Sequence, residues 1–352
     1  NTDTQTGQDA ISIPTWALLA NDTGPSSGLL SVLNASGASD GSVGLAGSTV
    51  TFTEEGNNST DGGRFVYGAS INGSTTLDSA VVDVTRSAGS NTLNGTFRNE
   101  ILLGRDGSAD VLNGGDGDDV LIGLGGNDTL NGGEGNDILA GGAGTDTLNG
   151  GNGVDTANYI DAALGVTVSL NTGAAQNTVG AGTDTLSNIE NLFGSNLIDT
   201  LTGNGSANVL FGAGGNDTLV GLGGDDFLIG GLGGDTMSGG SGKDTYVWQK
   251  GGLGGGTDHI TDFNVDITGV NSDKLDLSQL LSGVGTDSNI LQNYLDFSFA
   301  GTTTTIDVRT VAAGPVEQQV ILDNVNLSTL YGSANEATII TNLLDDNALK
   351  TA

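Results

Sequence analysis

The chain has 352 residues, with 42 acidic side chains against 9 basic ones for a formal charge of −33, and 62 glycines beside 3 prolines, one histidine and no cysteine. Such a polyanion excludes nucleic acid and anionic membrane surfaces as natural partners and favours a cation; with His259 the sole imidazole and no thiol, only oxygen donors are available, which select calcium or magnesium over zinc, copper or haem iron. So much glycine with 5% aromatics argues against an ordinary globular enzyme, and so few prolines against a collagen. No apolar run is long enough for a transmembrane helix, and no signal pattern opens the chain; because it begins with Asn1 it reads as a fragment of something longer.

Residues 1 to 88 carry short alternating runs (AISIP, LLSVL, STVTFT, GRFVYGAS, SAVVDVTR) between Gly, Asn and Ser turns, the pattern of a β-sandwich. The stretch WALLANDT from Trp16 resembles the cadherin-like or immunoglobulin-like modules that bacterial adhesins carry in tandem. That resemblance implies Asn21 and Asp22 as interdomain calcium ligands, although Asn-Asp-Thr-Gly is equally a plain turn.

From residue 89 a nine-residue period sets in. NGTFRNEILLG from Asn94 places Glu100 and Leu102 at positions six and eight of a decayed first repeat. The first array, 89–156, continues through GGDGDDVLI (Gly114), GLGGNDTLN (Gly123), GGEGNDILA (Gly132), GGAGTDTLN (Gly141) and GGNGVDTAN (Gly150), with acids at Asp110, Asp119, Asp128, Asp137, Asp146 and Asp155. A segment at 157–189 with a strand-like GVTVSL separates the arrays; DTLSNIENLFGS from Asp184 reads as restarting the coil, and Glu190, nine before Asp199, as the beginning of the second roll. The second array, 190–247, sets Asp199, Asn208, Asp217, Asp226, Asp235 and Asp244 at position six and Leu201, Leu210, Leu219, Leu228, Met237 and Tyr246 at position eight.

Glycines at positions one, two and four are expected to supply positive φ and leave carbonyls bare, after which a three-residue strand with one inward apolar side chain crosses the fold. One such unit buries nothing, so the units must stack, each strand pairing with the one two repeats later and the Leu row forming the core. Alternate aspartates then form columns of carboxylates about 5 Å apart, untenable without counter-charge and resolved by a dication between turns.

These arrays strongly resemble the RTX (repeats-in-toxin) family, whose repeat G-G-x-G-x-D-x-U-x folds as a calcium-binding parallel β-roll. The resemblance implies an all-β fold and calcium ligation by the register aspartates in the pairs Asp110/Asp128, Asp128/Asp146, Asp119/Asp137, Asp137/Asp155, Asp199/Asp217, Asp217/Asp235 and Asp226/Asp244, or about seven ions. It adds the backbone carbonyls of Gly115, Gly117, Leu124, Gly126, Gly133, Gly135, Gly142, Gly144, Gly151 and Gly153 in the first array. In the second it adds those of Ala213, Gly215, Leu222, Gly224, Gly231, Gly233, Gly240 and Gly242, with Asn208 and Glu190 as weaker candidates.

The remainder, 248–352, contains GTDHITDF and then SDKLDLSQLL from Ser272, similar to the C-terminal target domain of type I secreted RTX adhesins. That similarity implies an uncleaved C-terminal export signal and, as partners, an ABC transporter, a membrane fusion protein and an outer-membrane channel. Ile339, Ile340, Leu343 and Leu344 are spaced for a short amphipathic helix, which could serve the signal, cap the roll, or both. Enzyme signals are weak: Gly37-Ala38-Ser39-Asp40-Gly41 matches G-x-S-x-G as a string but lies in a turn, and no H-E-x-x-H is present. The expectation is a non-enzymatic, monomeric, extracellular or cell-surface segment from the C-terminal end of a large RTX adhesin of a Gram-negative bacterium. The competing readings are the secretion domain of an extracellular enzyme and a surface-layer protein.

Overall fold

The computed structural model describes residues 91–249, 256–266 and 272–351, together with the backbone of six strands before residue 91. The chain divides into two compact units, Asn1–Ala157 with Asp184–Ile189, and Asn158–Thr183 with Glu190–Ala352.

In the first unit the six leading strands are antiparallel. Thr49–Glu54 lies between Ala10–Pro14 and Gly41–Ala46, and Gly63–Ile71 lies between Leu30–Ser36 and Asp78–Arg86. Asn21 and Asp22, and most of the G-x-S-x-G string, fall outside the described residues. Asp78–Arg86 then pairs in parallel with Ile101–Leu103, so its antiparallel sheet runs directly into the repeats.

There the strands become short and parallel, with partners eighteen residues apart within the repeats, as Leu121 and Leu139 are. Leu102, Leu121, Leu139 and Ala157 stack in one row, and Leu93, Leu112, Leu130, Leu148 and Leu186 in the other. Each of these side chains is buried. In the Thr-Leu-Asn strands the middle residue is the buried one, worth about 1.5–3 kcal/mol when fully buried, whereas all three residues are buried in Ile101–Leu103 and Val120–Ile122.

The second unit repeats the plan. Leu192, Leu210, Leu228, Tyr246, Leu275 and Leu349 form one stack, and Val168, Leu201, Leu219, Met237 and Ile260 the other. Beyond Thr257–Ile260 this second row continues into Gln318–Leu322 and turns antiparallel through Thr303–Val308 and Leu295–Ala300. The expected C-terminal helix spans Glu336–Asp345; Asn335 caps it by accepting the Thr338 N–H at 3.0 Å, and Ile339, Ile340 and Leu343 are buried. Among the described residues no helix is long and apolar enough to cross a membrane.

The segment 157–189 is not one inserted element. Thr167–Ser169 pairs with Thr200–Thr202 and so belongs to a coil of the second unit, whereas Thr185, Leu186 and Ser187 pair with Thr147, Leu148 and Asn149 of the first. Roll strands therefore lie inside what the repeat period marks as a gap.

Candidate metal centre

The turns joining the two rows of each unit are built by the glycines, but not all for one reason. Most glycines at positions two and four take positive φ, as at Gly133 (124°) and Gly135 (122°), and three non-glycine occupants of position two, Leu124, Ala213 and Leu222, are held there at 74°, 71° and 77°; Gly144, Ser195 and Asn204 are not. Position one differs from the sequence expectation: Gly114, Gly123, Gly132, Gly141 and Gly150 have no positive φ. What excludes a side chain is proximity. A Cβ on Gly132 would lie 2.1 Å from Asp137 Oδ2 and 2.4 Å from the Gly150 carbonyl oxygen; one on Gly221 would lie 2.1 Å from Asp226 Oδ2 and 2.6 Å from the Gly239 carbonyl oxygen. Position one thus borders a cradle shared by a carboxylate oxygen of its own turn and a carbonyl of the next coil.

The position-six acids line up as their spacing predicts. The N–H of each donates to Oδ1 of the acid one coil on: Asp110 to Asp128, Asp119 to Asp137, Asp128 to Asp146, Asp137 to Asp155, Asp199 to Asp217, Asn208 to Asp226, Asp217 to Asp235 and Asp226 to Asp244, all at 2.8–3.0 Å. That bond consumes one oxygen. The other is left: Oδ2 of Asp119, Asp128, Asp137, Asp146, Asp155, Asp217, Asp226, Asp235 and Asp244, and Oδ1 of Asp110, are buried atoms with no hydrogen-bond partner. A buried, unsatisfied carboxylate oxygen is costly, and ten of them in register is a demand for a cation.

Burial is the largest cause of the shifted ionisation, reinforced by neighbouring carboxylates and opposed by the backbone hydrogen bond. It pushes Asp119 and Asp137 up to about 7, Asp226 to about 7, Asp128 to about 6 and Asp217 to about 8.

The carbonyls expected as ligands point along the stack. A Cβ on Gly133, Gly135, Gly142, Gly144, Gly151 or Gly153 would lie 1.5–2.2 Å from the carbonyl oxygen of Gly115, Gly117, Leu124, Gly126, Gly133 or Gly135, respectively. The second array repeats this at 1.7–2.2 Å, where Gly231, Gly233, Gly240 and Gly242 sit against the carbonyls of Ala213, Gly215, Leu222 and Gly224. Position-two carbonyls also accept from the following coil, Leu124 from the Ala143 N–H at 2.8 Å and Ala213 from the Leu232 N–H at 3.0 Å. The position-one carbonyls of Gly132, Gly141 and Gly150, which sequence reasoning did not single out, are the ones beside the orphaned oxygens of Asp119, Asp128 and Asp137. Only the stacked geometry reveals them.

Two expected ligands differ from the rest. Asp199 has both oxygens occupied, Oδ1 accepting from Val166 N–H (2.6 Å) and Ser195 Oγ (2.8 Å), and Oδ2 from Ser195 N–H (2.6 Å). Asn208 spends its amide on the backbone, accepting from Asn204 N–H at 2.8 Å and donating to the Glu190 carbonyl at 2.7 Å. At the far end, Asp258 and Asp273 accept the N–H groups of Asp235 (2.9 Å) and Asp244 (3.1 Å). Their Oδ2 atoms are taken by Trp248 Nε1 (2.7 Å) and Gln318 Nε2 (2.8 Å), and by Asn264 N–H (2.8 Å). Protein donors satisfy Asp258 and Asp273, while Oδ2 of Asp235 and Asp244 keeps no hydrogen-bond partner. His259, beside Asp258, places Nδ1 3.1 Å from Asp323.

Position five has a role that sequence reasoning also missed. Asn99, Asp118 and Asn136 each accept, through the side-chain oxygen, the N–H of the position-five residue one coil later, at 2.7–3.0 Å, and Val154, without an acceptor, ends the series.

No group of three or more acidic or imidazole side chains converges among the described residues. Each turn offers carboxylate and carbonyl oxygens only, a donor set that fits calcium, which takes six to eight oxygens in flexible geometry, better than a transition metal.

Residues 87–130, 105–139, 122–157, 193–228 and 212–246 match the family of RTX calcium-binding nonapeptide repeats, whose model comprises four copies. No curated protein matches the chain. Among solved structures, the AlgE6R3 subunit of the Azotobacter vinelandii mannuronan C5-epimerase is similar at 30% identity over 40% of this chain and 83% of that one, with a TM-score of 0.28. The extracellular lipase LipA of Serratia marcescens is similar at 19% identity over 67% of this chain and 38% of that one, with a TM-score of 0.26. By motif and by geometry, then, the two arrays are RTX repeats that bind calcium, folded as parallel β-rolls.

Proposed function

We propose that this chain is the calcium-folded C-terminal secretion segment of a cell-surface RTX adhesin from a Gram-negative bacterium, without catalysis of its own. In this reading residues 1–88 are a final immunoglobulin-like or cadherin-like module, and residues 248–352 are the target domain read by a type I ABC transporter with its membrane fusion protein and outer-membrane channel. Adhesion proper lies in the parent protein.

The observation that carries the reading is the set of ten buried carboxylate oxygens without partners, stacked in columns. In a low-calcium cytosol these columns repel, and a glycine-rich chain lacks the apolar surface to offset its conformational entropy, so the segment stays extended and exportable. At the ~0.1–1 mM calcium range in which extracellular modules bind, each ion cancels two charges and supplies the missing partner of an orphaned oxygen. Each ion held at about 100 times its Kd adds about 2.7 kcal/mol to the folded state. Far-UV circular dichroism with calcium and with EGTA tests this: β-roll signal and melting temperature are expected to fall sharply in EGTA, and a spectrum indifferent to the chelator would overturn the calcium-folding core of the proposal. Export is tested separately, by truncating Glu336–Ala352 in cells that carry a type I system; secretion undiminished by the truncation rejects the target-domain assignment.

A further inference from the structure

Asn72, Asn94, Asn113, Asn131, Asn149, Asn152 and Asn204 are each followed directly by glycine, Asn72 lying outside the described residues. With no Cβ on the following residue, nothing shields the asparagine Cγ from that residue's backbone nitrogen, so the step can close a five-membered ring on itself. Two conditions decide whether a folded chain allows the closure. The glycine N–H must be free to lose its proton, and the side-chain oxygen must meet a donor as it takes up negative charge.

In the asparagines that precede a position-one glycine, the first condition fails. Asn113, Asn131 and Asn149, with the glycines after them, lie inside the strands Val111–Asp116, Thr129–Glu134 and Thr147–Asn152, and Asn131 pairs in register with the other two. The Gly95 N–H, after Asn94, is committed to the Asn113 carbonyl at 2.7 Å. At Asn152 the second condition fails: the Val154 N–H, two residues on, donates to Asn136 Oδ1 at 2.9 Å. The Asn152 amide is held by its nitrogen instead, which donates to Glu134 Oε1 at 2.8 Å.

Asn204 meets both conditions. It sits in a turn of the second array, outside any strand, and its Oδ1 accepts the Ser206 N–H at 2.8 Å, a donor placed to stabilise an oxyanion on that atom. Among the described residues nothing accepts the Gly205 N–H. Gly205 is exposed, and a Cβ on it would meet nothing within 4 Å, so water and hydroxide reach the bond. The backbone before that bond is fixed: the Asn204 N–H donates to Asn208 Oδ1 at 2.8 Å, and the Asn204 carbonyl accepts the Gly223 N–H of the following coil at 3.1 Å.

We infer that Asn204 is a site of spontaneous covalent modification. Hydroxide removes the Gly205 amide proton, and the nitrogen attacks Asn204 Cγ to give a tetrahedral oxyanion. Its collapse breaks the Cγ–Nδ2 bond; the nitrogen leaves as ammonia, taking a proton from water and restoring the hydroxide, and a succinimide remains. Water then opens one of the two ring carbonyls, leaving aspartate or, with the chain rerouted through Cγ, isoaspartate. One water is consumed and one ammonia released. Either product adds a negative charge to the turn that holds Asn208, and isoaspartate also lengthens the backbone by a methylene beside the carbonyl that binds Gly223, which loosens the link between these coils.

The test is peptide mapping of the full chain aged in mildly alkaline buffer with calcium, reading aspartate and isoaspartate at each Asn-Gly step. Asn204 is expected to convert at least about tenfold faster than Asn113, Asn131 and Asn152, the rate equivalent of one hydrogen bond to the oxyanion. Gly205→Ala, whose Cβ shields Cγ without touching the rest of the turn, is expected to suppress conversion at Asn204 and leave the other steps unchanged. In guanidinium chloride, where the coils are lost, the steps should convert at similar rates. Conversion at Asn204 no faster than at the other three in the folded protein overturns the inference. So does a lead that persists in the denaturant, because the neighbouring sequence and not the fold would then select the site. The comparison of folded and denatured wild type decides the matter even if the variant does not fold.

Discussion

Asp119 and Asp137, eighteen residues apart, are tied by a 2.8 Å hydrogen bond from the Asp119 N–H to Asp137 Oδ1, while Oδ2 of each is buried without a partner. The bond sets the coil-to-coil spacing and fixes one oxygen per carboxylate; the leftover oxygen is what calcium must satisfy. Scaffold and ligand are thus the same side chain, and several predictions separate the two roles.

Asp137→Asn keeps the scaffold bond, because the amide oxygen still accepts, but removes one ligand charge. Calcium affinity is expected to fall roughly tenfold or more, about 1.4 kcal/mol for each tenfold step. In EGTA the same variant is expected to be more structured than the wild type, because one member of a repelling column is neutral. Calcium titration followed by circular dichroism reads both effects, and a variant that weakens folding equally with and without calcium would assign Asp137 to packing alone.

Acid and calcium are expected to work in opposite senses. Asp119, Asp128, Asp137, Asp217 and Asp226 are pushed up to between about 6 and about 8 in the folded chain, against 3.8 for an ordinary aspartate. Between those values the folded state binds more protons than the unfolded one, so metal-free stability is fully present below about pH 4 and is lost as pH rises through 6 to 8. With calcium present, protons compete for the same oxygens, and affinity should drop below about pH 7. Melting temperatures in EGTA and in calcium across pH 5–8 should therefore slope in opposite directions.

Gly132→Ala tests the cradle. Its Cβ would meet Asp137 Oδ2 at 2.1 Å and the Gly150 carbonyl at 2.4 Å, so a loss above about 2 kcal/mol is expected in calcium. Gly205→Ala, with nothing within 4 Å and no positive φ, should stay within about 0.5 kcal/mol. Equal effects at both positions would mean that glycine is needed throughout for chain flexibility instead.

Leu130→Ala removes a fully buried side chain flanked by Leu112 and Leu148 and should cost about 2–5 kcal/mol in the calcium-loaded protein, measured by chemical denaturation. The calcium count should be unchanged, since the core row and the turn columns are chemically separate.

Much of the roll was legible in the linear chain because a stacked coil converts sequence period directly into space. Once Asp119 and Asp137 are known to be two repeats apart, their adjacency follows from the strand spacing. The insertion was misread for the same reason: DTLSNIENLFGS from Asp184 reads as the restart that opens the second roll, whereas Leu186 pairs with Leu148 of the first unit, 38 residues back. The position-one carbonyls were missed because glycine there signals close approach and not a backbone angle, and a sequence cannot tell these apart. Asp258 and Asp273 carry no repeat motif, and their hydrogen bonds to Trp248, Gln318 and Asn264 join parts of the chain as much as 60 residues apart.

The sequence by itself determined the chemistry, a cation-seeking, oxygen-only polyanion with acids and leucines in nine-residue register, because composition and period are local properties. The tertiary structure alone decided which oxygens are left over and where the columns stop, because satisfaction of a buried carboxylate depends on the N–H groups that other coils bring to it.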